Sequence, residues 1–211
     1  MKIGLIDYGA GNLFSVERAL KFTRADYYLA TKAEQILKAD KLVLPGVGAF
    51  ADGMKGLKKN RLDRAIIKAV KQGRPLLGIC LGMQLMMNLG KEFGTHRGLA
   101  LIDGQVDKIK TSAKLPQIGW NSIKIKKPSP LLAGIKTGDY FYFVHSFVIR
   151  LKNQKEAVAS TIYGGDEFCS VVSYNHIYGT QFHPEKSGKK GLKIYQNFVR
   201  QVRPAAWGKI L

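Results

Sequence analysis

A short apolar strand that turns directly into an apolar helix constrains the fold of this chain more than any other feature. Residues Pro75–Ile79 predict a buried strand, Cys80 begins the turn, and a helix is predicted over Leu81–Leu89. Gly78 and Gly82 flank the cysteine, two residues away on either side. Glycines are needed where a sharp turn leaves no space beside a residue whose own side chain stands clear, which is the arrangement of a nucleophile elbow. Taken alone, this pentapeptide fits a buried structural cysteine equally well.

The order of strand and then helix recurs through the first half of the chain. Short apolar runs predict strands at Lys2–Asp7, Tyr27–Ala30 and Lys41–Leu44. Helical spacing follows over Asn12–Lys21 and Met54–Gln72. Alternating strands and helices indicate parallel βαβ units in a doubly wound sheet, whose ligands bind at the carboxyl ends of the strands.

The second half of the chain favours antiparallel strands, which we expect to extend the same sheet. The predicted strands are Lys108–Ile109, Ser122–Ile125, Tyr140–Ile149, Ala157–Ile162 and Cys169–Tyr174. A final strand, Ile177–Phe182, and an amphipathic helix, Lys189–Val202, close the chain. The predicted fold class is therefore α/β, with a doubly wound, mostly parallel central sheet, helices on both faces and added antiparallel strands. One domain is expected over residues 1–202, followed by a tail of unknown role at 203–211.

Composition limits the class of protein, the compartment and the kind of partner that we expect for this chain. Its 211 residues are 45% hydrophobic and 23% charged, as in a compact globular domain. Two cysteines cannot build a disulfide framework, and no secretory leader follows Met1, so we expect a cytoplasmic protein. The longest uncharged stretch, Pro75–Gly90, is too short and too polar to span a membrane. The net charge of +19 makes a nucleic acid or an acidic partner worth considering.

A cysteine nucleophile needs a base, and one histidine stands out among four. The histidines are His96, His145, His176 and His183. His183 directly follows the last predicted strand, so it lies at the same edge of a parallel sheet as Cys80. Glu185 follows two residues later and can orient the imidazole. Cys80, His183 and Glu185 are therefore predicted to form a Cys-His-Glu triad.

These motifs resemble those of the class I (triad) glutamine amidotransferases, which hydrolyse glutamine and deliver the ammonia to a synthase. The resemblance is carried by Gly78–Gln84 and His183–Glu185. Other segments resemble one branch of that family, the glutaminase subunits of imidazole glycerol phosphate synthases. Those segments are Asp7–Asn12, Pro45–Gly48 with Phe50, Gly119–Asn121 and Tyr142–Ser146. The likeness extends over nearly the full chain.

The resemblance implies roles for the residues around Cys80. The oxyanion of the reaction would accept hydrogen bonds from the backbone of Leu81 and of the loop that holds Val47 and Gly48. The positions that match the glutamine-binding residues of the family are Gly46, Gln84, Glu92, His145 and Ser146. Gln84 and Glu92 are expected one turn and about three turns into the helix after Cys80. The resemblance implies neither a metal nor a cofactor.

The resemblance also implies a partner, a (β/α)₈-barrel cyclase through whose interior the ammonia travels. Together the two subunits would form imidazole glycerol phosphate and aminoimidazole carboxamide ribotide in histidine biosynthesis. The positions matching the boundary between the subunits are Asn12, Trp120, Tyr142 and Lys186. Trp120 is expected to be a buried aromatic anchor and Lys186 to gate the ammonia passage.

Two other functions stay open at this point. A paralogous subunit with the same glutaminase chemistry could supply ammonia to a different synthase, such as one in a surface-sugar pathway. The excess of lysine could instead serve a basic module that binds nucleic acid. Its charges at Lys58–Lys59, Lys124–Lys127 and Lys186–Lys193 are scattered, however, and no aromatic stacking platform accompanies them. We therefore expect no nucleic-acid partner.

Overall fold

The computed structural model describes residues 1–203, so residues 204–211 of the predicted tail lie outside the described residues. The strands are β1 (Lys2–Ile6), β2 (Asp26–Ala30), β3 (Lys41–Leu44), β4 (Leu76–Ile79), β5 (Leu89–Gly90), β6 (His96–Arg97), β7 (Gly104–Lys108), β8 (Gln117–Ser122), β9 (Lys124–Ile125), β10 (Tyr140–His145), β11 (Phe147–Leu151), β12 (Ala157–Tyr163), β13 (Asp166–Tyr174) and β14 (Ile177–Thr180). The α-helices are α1 (Leu13–Phe22), α2 (Ala33–Lys38), α3 (Phe50–Lys59), α4 (Leu62–Lys71), α5 (Leu81–Leu85) and α6 (Gly188–Arg200). Short 3₁₀ turns occur at Pro130–Leu132, Gln154–Glu156 and Pro184–Lys186.

An eight-stranded sheet in the order β2-β1-β3-β4-β14-β13-β12-β9 forms the centre of the molecule. The first five strands of this order are parallel, and the last three are antiparallel to their neighbours. The chain returns from its second half to place β14 beside β4. The predicted fold class, a mostly parallel sheet with added antiparallel strands, is confirmed.

Helices cover both faces of the sheet because the side chains of each buried strand alternate between two apolar layers. Leu5 packs in one layer with residues of α1 and α6, and its neighbour Ile6 packs in the other with residues of α3 and α4. Both side chains are fully buried. Strands buried on both faces are the reason why the sequence shows continuous apolar runs there instead of alternation.

The prediction that all antiparallel strands join the central sheet is wrong. β8 and β10 pair only with each other, and β11, β7, β5 and β6 form a separate four-stranded sheet. The predicted strand Tyr140–Ile149 is interrupted at Ser146, whose carbonyl accepts a hydrogen bond from the Ile109 N–H at 2.9 Å. Apolar alternation predicts that a segment is a strand, but it carries no information about which strand is its partner.

Two helices also differ from the prediction. The segment Met54–Gln72 is two helices, because Arg61 adopts a left-handed conformation with φ of +55° between α3 and α4. The predicted helix Leu81–Leu89 ends at Leu85, and Leu89–Gly90 leaves it to pair as β5 with β6 and β7. Beyond Leu85 the chain therefore departs from the axis of α5. No helix in the described part of the chain is long and apolar enough to cross a membrane.

A buried lysine on β3 joins the sheet to the end of α6. The Nζ atom of Lys41 donates to the carbonyl oxygens of Phe198, Val199 and Val202 at 2.7 to 2.8 Å. These carbonyls lie in the last turn of the helix and beyond it, where the helix itself supplies no donor. Burial lowers the pKa of the Lys41 ammonium to about 8, so it is still charged at pH 7. One side chain thus satisfies three acceptors in the interior.

We expect Lys41→Met to lower the free energy of unfolding by about 3 kcal/mol, because it leaves two buried carbonyls and one partly buried carbonyl without a donor. Urea unfolding at pH 7 measures this change. Lys38→Met, at an exposed position on α2, is the control and is expected to change stability by less than about 0.5 kcal/mol. Equal effects of the two substitutions would show that the three hydrogen bonds of Lys41 add nothing.

Candidate active site

Cys80 and His183 meet at the carboxyl edge of the sheet because they follow adjacent parallel strands. Cys80 comes directly after β4, and His183 comes three residues after the end of β14. These strands pair in parallel up to Ile79 and Thr180, and the Cys80 N–H donates to the Thr180 carbonyl at 2.7 Å. Strand order alone therefore brings together two residues that are about a hundred positions apart in the sequence.

The turn at Cys80 is strained and depends on glycine. Cys80 has φ of +53° and ψ of −111°, a conformation that costs a non-glycine residue on the order of 1–3 kcal/mol. A Cβ atom on Gly82 would lie far inside the van der Waals distance of the Leu44 carbonyl oxygen. A Cβ on Gly78 would lie 2.8 Å from the Gly82 carbonyl oxygen. The prediction that both glycines make room for the elbow is confirmed.

The Cys80 thiol is buried against polar groups of two other segments. Its Sγ atom is 4.0 Å from the Val144 carbonyl and 3.6 Å from the Gln181 amide Nε2, which donates to it. Gln181 is fully buried, and its Oε1 accepts a hydrogen bond from Gln84 Nε2 at 3.2 Å. Sequence reasoning missed Gln181, although a polar side chain beside His183 at the end of an apolar strand was an available signal.

His183 is held by Glu185 in the interior. Nδ1 of His183 is 2.7 Å from Oε1 of Glu185, and both side chains are 2% exposed. The other carboxylate oxygen, Oε2, accepts a hydrogen bond of 3.4 Å from the Tyr195 hydroxyl. This pairing leaves Nε2 as the ring nitrogen available to the Cys80 thiol.

The protonation of His183 is set by its two charged neighbours. Burial disfavours the imidazolium, but the negative charge and hydrogen bond of Cys80, together with Glu185, raise the pKa of His183 to about 10. The imidazolium is therefore the favoured form whenever Cys80 is a thiolate. A proton held on the imidazole beside a thiolate is the arrangement that acyl transfer by cysteine requires.

A cavity of about 760 Å³ opens above Cys80, and most of the predicted binding residues line it. The predicted residues on its wall are Val47, Gly48, Leu81, Gln84, Glu92, His145, Ser146 and Lys186. Residues that the sequence did not single out complete it, among them Phe93, Lys108, Leu115, Pro116 and Phe147. Gly46 is not on this wall, because it is packed between the Tyr8 hydroxyl and the first turn of α5. The volume is in the range of small-molecule sites.

Gln84 and Glu92 reach the cavity by different routes. Gln84 lies one turn into α5, as predicted, and its Nε2 donates to the Phe147 carbonyl at 2.8 Å. The predicted position of Glu92 on the same helix is wrong, because α5 ends at Leu85 and Glu92 follows β5. Glu92 Oε2 accepts a 2.8 Å hydrogen bond from the Phe50 N–H at the start of α3. One carboxylate thus both borders the cavity and caps a helix.

His145 is buried beside aromatic side chains and is neutral at pH 7. Its Nδ1 is 3.0 Å from the Phe147 carbonyl, and its ring packs edge-on against Phe168 at 5.2 Å. Burial lowers the pKa of His145 to about 4, and the charge of His183 acts in the same direction. The hydrogen bond that the Phe147 carbonyl accepts opposes this shift only in part. Protonating His145 would therefore place an unfavourable charge in the interior.

We expect acid to destabilise the protein partly through His145. The unfolded imidazole, with its ordinary pKa of 6.5, binds a proton below that pH, but the folded one does so only below about pH 4. Between these values the unfolded state binds more protons, so stability falls as the pH falls, by about 3 kcal/mol over the window. Urea unfolding at several pH values should show a shallower pH dependence for His145→Asn than for the wild type. An unchanged pH dependence in His145→Asn would contradict this account.

Of the predicted boundary residues, Trp120 and Lys186 are exposed, whereas Asn12 and Tyr142 are half-buried. Trp120 is 56% exposed and packs edge-on against Tyr142 at 6.2 Å, so it is not a core residue. Lys186 is exposed, and its Nζ lies 5.7 Å from the centre of the Tyr142 ring while the residue also borders the cavity. Asn12 caps α1 through a 3.3 Å hydrogen bond from the Ser15 N–H. Trp120 is buried as an anchor only if a second chain covers it.

Groups of three or more His, Cys, Asp or Glu side chains that could hold a metal ion do not occur within residues 1–203. The second cysteine, Cys169, is buried in β13, where burial raises the pKa of its thiol to about 12. It lies apart from the cavity wall. Cys80 is therefore the one cysteine on the wall of the cavity within the described residues.

Comparison with known proteins agrees with this geometry. Residues 5–202 match the family model described as glutamine amidotransferase class-I. The PurLQS structure from Thermotoga maritima superposes with a TM-score of 0.73 at 17% identity, covering 96% of this chain and 99% of that one, which supports the fold alone. The chain belongs to the class I glutamine amidotransferases.

Curated relatives narrow the family further. The chain is 44% identical to imidazole glycerol phosphate synthase subunit HisH of Caldanaerobacter subterraneus, over 95% of this chain and 98% of the relative. It is also 44% identical to subunit HisH 1 of Methanococcus maripaludis, over 95% of this chain and 100% of the relative. Within its class, the chain belongs to the family of these HisH subunits.

Proposed function

We propose that this chain is the subunit that hydrolyses L-glutamine to glutamate and ammonia through Cys80, His183 and Glu185. The observation that carries the proposal is the meeting of Cys80 and the His183–Glu185 pair at the carboxyl ends of adjacent parallel strands, with a cavity opening above the thiol. Other parts of the structure support individual steps of this reaction.

The thiolate of Cys80 attacks the carbon of the glutamine side-chain amide and forms a tetrahedral intermediate. The His183 imidazolium gives its Nε2 proton to the departing nitrogen, the C–N bond breaks, and ammonia leaves a thioester on Cys80. Neutral His183 then takes a proton from water, whose oxygen attacks the thioester and releases glutamate. Glu185 keeps the ring oriented through Nδ1 during both half-reactions.

Backbone N–H groups on two sides of the cavity can stabilise the oxyanion. The Leu81 N–H follows the nucleophile at the start of α5, and the second donor comes from the loop of Val47 and Gly48. Gly48 has φ of +103°, a conformation that glycine adopts without strain, and the space around its Cα is open. The peptide between Val47 and Gly48 can therefore turn toward or away from the oxyanion, which makes the loop a switch.

Charge and hydrogen-bonding groups farther along the cavity suit the amino-acid end of glutamine. Glu92 supplies a carboxylate for the α-ammonium group, and His145 and Ser146 also line the cavity, where their main chain can contact the substrate. Gln84 is fixed by the Phe147 carbonyl and by Gln181, so it forms a rigid floor. A rigid, charged wall of this kind selects a small zwitterion over a larger peptide.

The exposed aromatic face of β8 and β10 suits a second chain that receives the ammonia. Trp120 and Tyr142 pair across these two strands, and Lys186 connects their surface with the cavity mouth. We infer that a (β/α)₈-barrel cyclase covers this face and uses the ammonia to form imidazole glycerol phosphate and aminoimidazole carboxamide ribotide in histidine biosynthesis. The relatives, which are subunits of imidazole glycerol phosphate synthase, support this partner. The reaction is expected in the cytoplasm.

Glutamate release by the purified chain, with and without the cyclase and its nucleotide ligand, tests the proposal. In the proposed switch the Val47–Gly48 peptide donates to the oxyanion only when the cyclase and its ligand are bound. We therefore expect little activity from the chain alone and a rise of about 10²–10³-fold with partner and ligand, which is the value of one oxyanion donor. Equal activity with and without the cyclase would contradict the switch. Lack of any glutamate release under either condition would contradict the glutaminase.

A further inference from the structure

A second cavity, of about 650 Å³, lies between α3 and the β5–β6 hairpin. Four basic side chains border it, those of Lys55, Lys58, Lys59 and Arg97, and we refer to it as the cationic pocket. The described residues that line it include no aspartate or glutamate. It shares no lining residue with the glutamine cavity, so a ligand here would occupy a separate site.

The charges of this pocket are not neutralised by the protein. Within residues 1–203, none of the four basic side chains forms an ion pair with a carboxylate. Lys55, Lys58 and Lys59 lie three and four positions apart on one face of α3, where like charges destabilise a helix. The C-terminal end of the helix dipole accounts for Lys58 and Lys59 in the last turn, but not for Lys55 or for Arg97 on the hairpin.

Two further side chains add hydrogen-bonding capacity. Thr95 presents an exposed hydroxyl, and His96 is half-buried with its Nε2 3.4 Å from the Phe93 carbonyl. Ala51 and Met54 are the apolar part of the lining. Cations from two separate elements, one hydroxyl and one imidazole around a concave floor make a site that a compact anion can contact on several sides.

The size of the pocket and the number of charges define the ligand. Its volume is in the range of small-molecule sites. A singly charged anion would gain little at exposed lysines, because salt screens such pairs at physiological ionic strength. Phosphate groups accept hydrogen bonds from lysine and arginine in charge-assisted pairs, and two linked phosphates engage several cations at once.

We propose that the cationic pocket binds a small anion that carries at least two linked phosphate groups. Inorganic pyrophosphate and the polyphosphate of a nucleotide share this chemistry. A nucleic acid is less suited, because its evenly spaced phosphates need an extended track, whereas these four cations surround one concave site. Binding of such an anion would account for part of the +19 net charge of the chain.

Isothermal titration of the whole chain with sodium pyrophosphate at physiological salt tests the proposal. The triple variant Lys55→Gln, Lys58→Gln and Arg97→Gln is expected to raise the Kd at least tenfold. The matched control, Lys21→Gln, Lys68→Gln and Lys189→Gln, removes the same charge from exposed positions elsewhere and is expected to change the Kd less than twofold. Titration with ATP in place of pyrophosphate shows whether the nucleoside part adds affinity.

Three results would overturn the proposal. One is the absence of binding to the wild-type chain at millimolar pyrophosphate. Another is equal weakening in both triple variants, which would mean attraction to the net charge alone. The last is tight binding of duplex DNA through Lys55, Lys58 and Arg97 that pyrophosphate does not displace. Nuclear magnetic resonance spectra of the wild-type chain, recorded during titration with pyrophosphate, test the location of the site without any substitution. The amide signals of Thr95–Arg97 are expected to shift when the anion binds.

Discussion

Cys80→Ala is expected to abolish glutamine-dependent synthesis by the assembled enzyme, by at least about 10⁴-fold, while ammonia-dependent synthesis stays within about twofold of the wild type. The thiol is the only group at the elbow that can form the acyl intermediate, and in the proposed mechanism no other step replaces it. Ammonium salts bypass this chemistry, because they supply the nitrogen directly to the cyclase. Product formation with either nitrogen source, in the presence of the cyclase, measures both activities.

Cys169→Ala is the matched control for this substitution. Cys169 is the other cysteine of the chain and is buried in β13, away from the cavity wall. Removing its sulfur is expected to leave both activities unchanged. A loss of ammonia-dependent synthesis in Cys80→Ala would mean that the substitution disturbs the partner or the fold, and substantial residual glutamine-dependent synthesis would mean that another group is the nucleophile.

Local sequence signals were sufficient for the centre of the candidate site. The strand–turn–helix at Cys80 and the strand before His183 are both short-range patterns, and parallel topology places their ends at one edge. Gly78 and Gly82 could also be interpreted from the sequence, because the space that they leave is a property of the turn itself. Features that depend on neighbours within a few residues are therefore predictable here.

Long-range pairing determined what the sequence could not show. Glu92 reaches the cavity because α5 ends early and the following segment pairs as β5 with β7. Helical spacing in the sequence cannot reveal this contact between distant segments. Gln181 contacts Cys80 only because β14 lies beside β4. The sequence predicts Trp120 as an aromatic anchor at the boundary with a second chain, but it does not show that β8 pairs with β10 outside the central sheet, the pairing that leaves Trp120 56% exposed.

Glu185→Gln is expected to lower kcat for glutamine hydrolysis by about 10³–10⁴-fold with a much smaller change in KM. The carboxylate accepts a hydrogen bond from Nδ1 of His183 and helps to raise the pKa of that imidazole to about 10. A glutamine amide can donate to Nδ1 instead, which moves the ring proton to Nε2 in the neutral imidazole, the tautomer that cannot accept a proton from water. The neutral amide also favours the imidazolium less, so the pKa of His183 should fall.

The pH profile separates this positioning role from a structural one. The thiolate–imidazolium pair is expected to persist over a narrower pH range in Glu185→Gln, so the alkaline limb of kcat should move to lower pH. Tyr195→Phe removes the 3.4 Å hydrogen bond to Oε2 but keeps the carboxylate, and is expected to cost less than about tenfold in kcat because this hydrogen bond is long. Glu185→Asp should restore part of the rate and the wild-type pH profile. A folded Glu185→Gln variant with nearly normal kcat would show that His183 needs no carboxylate to orient it, and the proposed triad would reduce to a Cys80–His183 dyad.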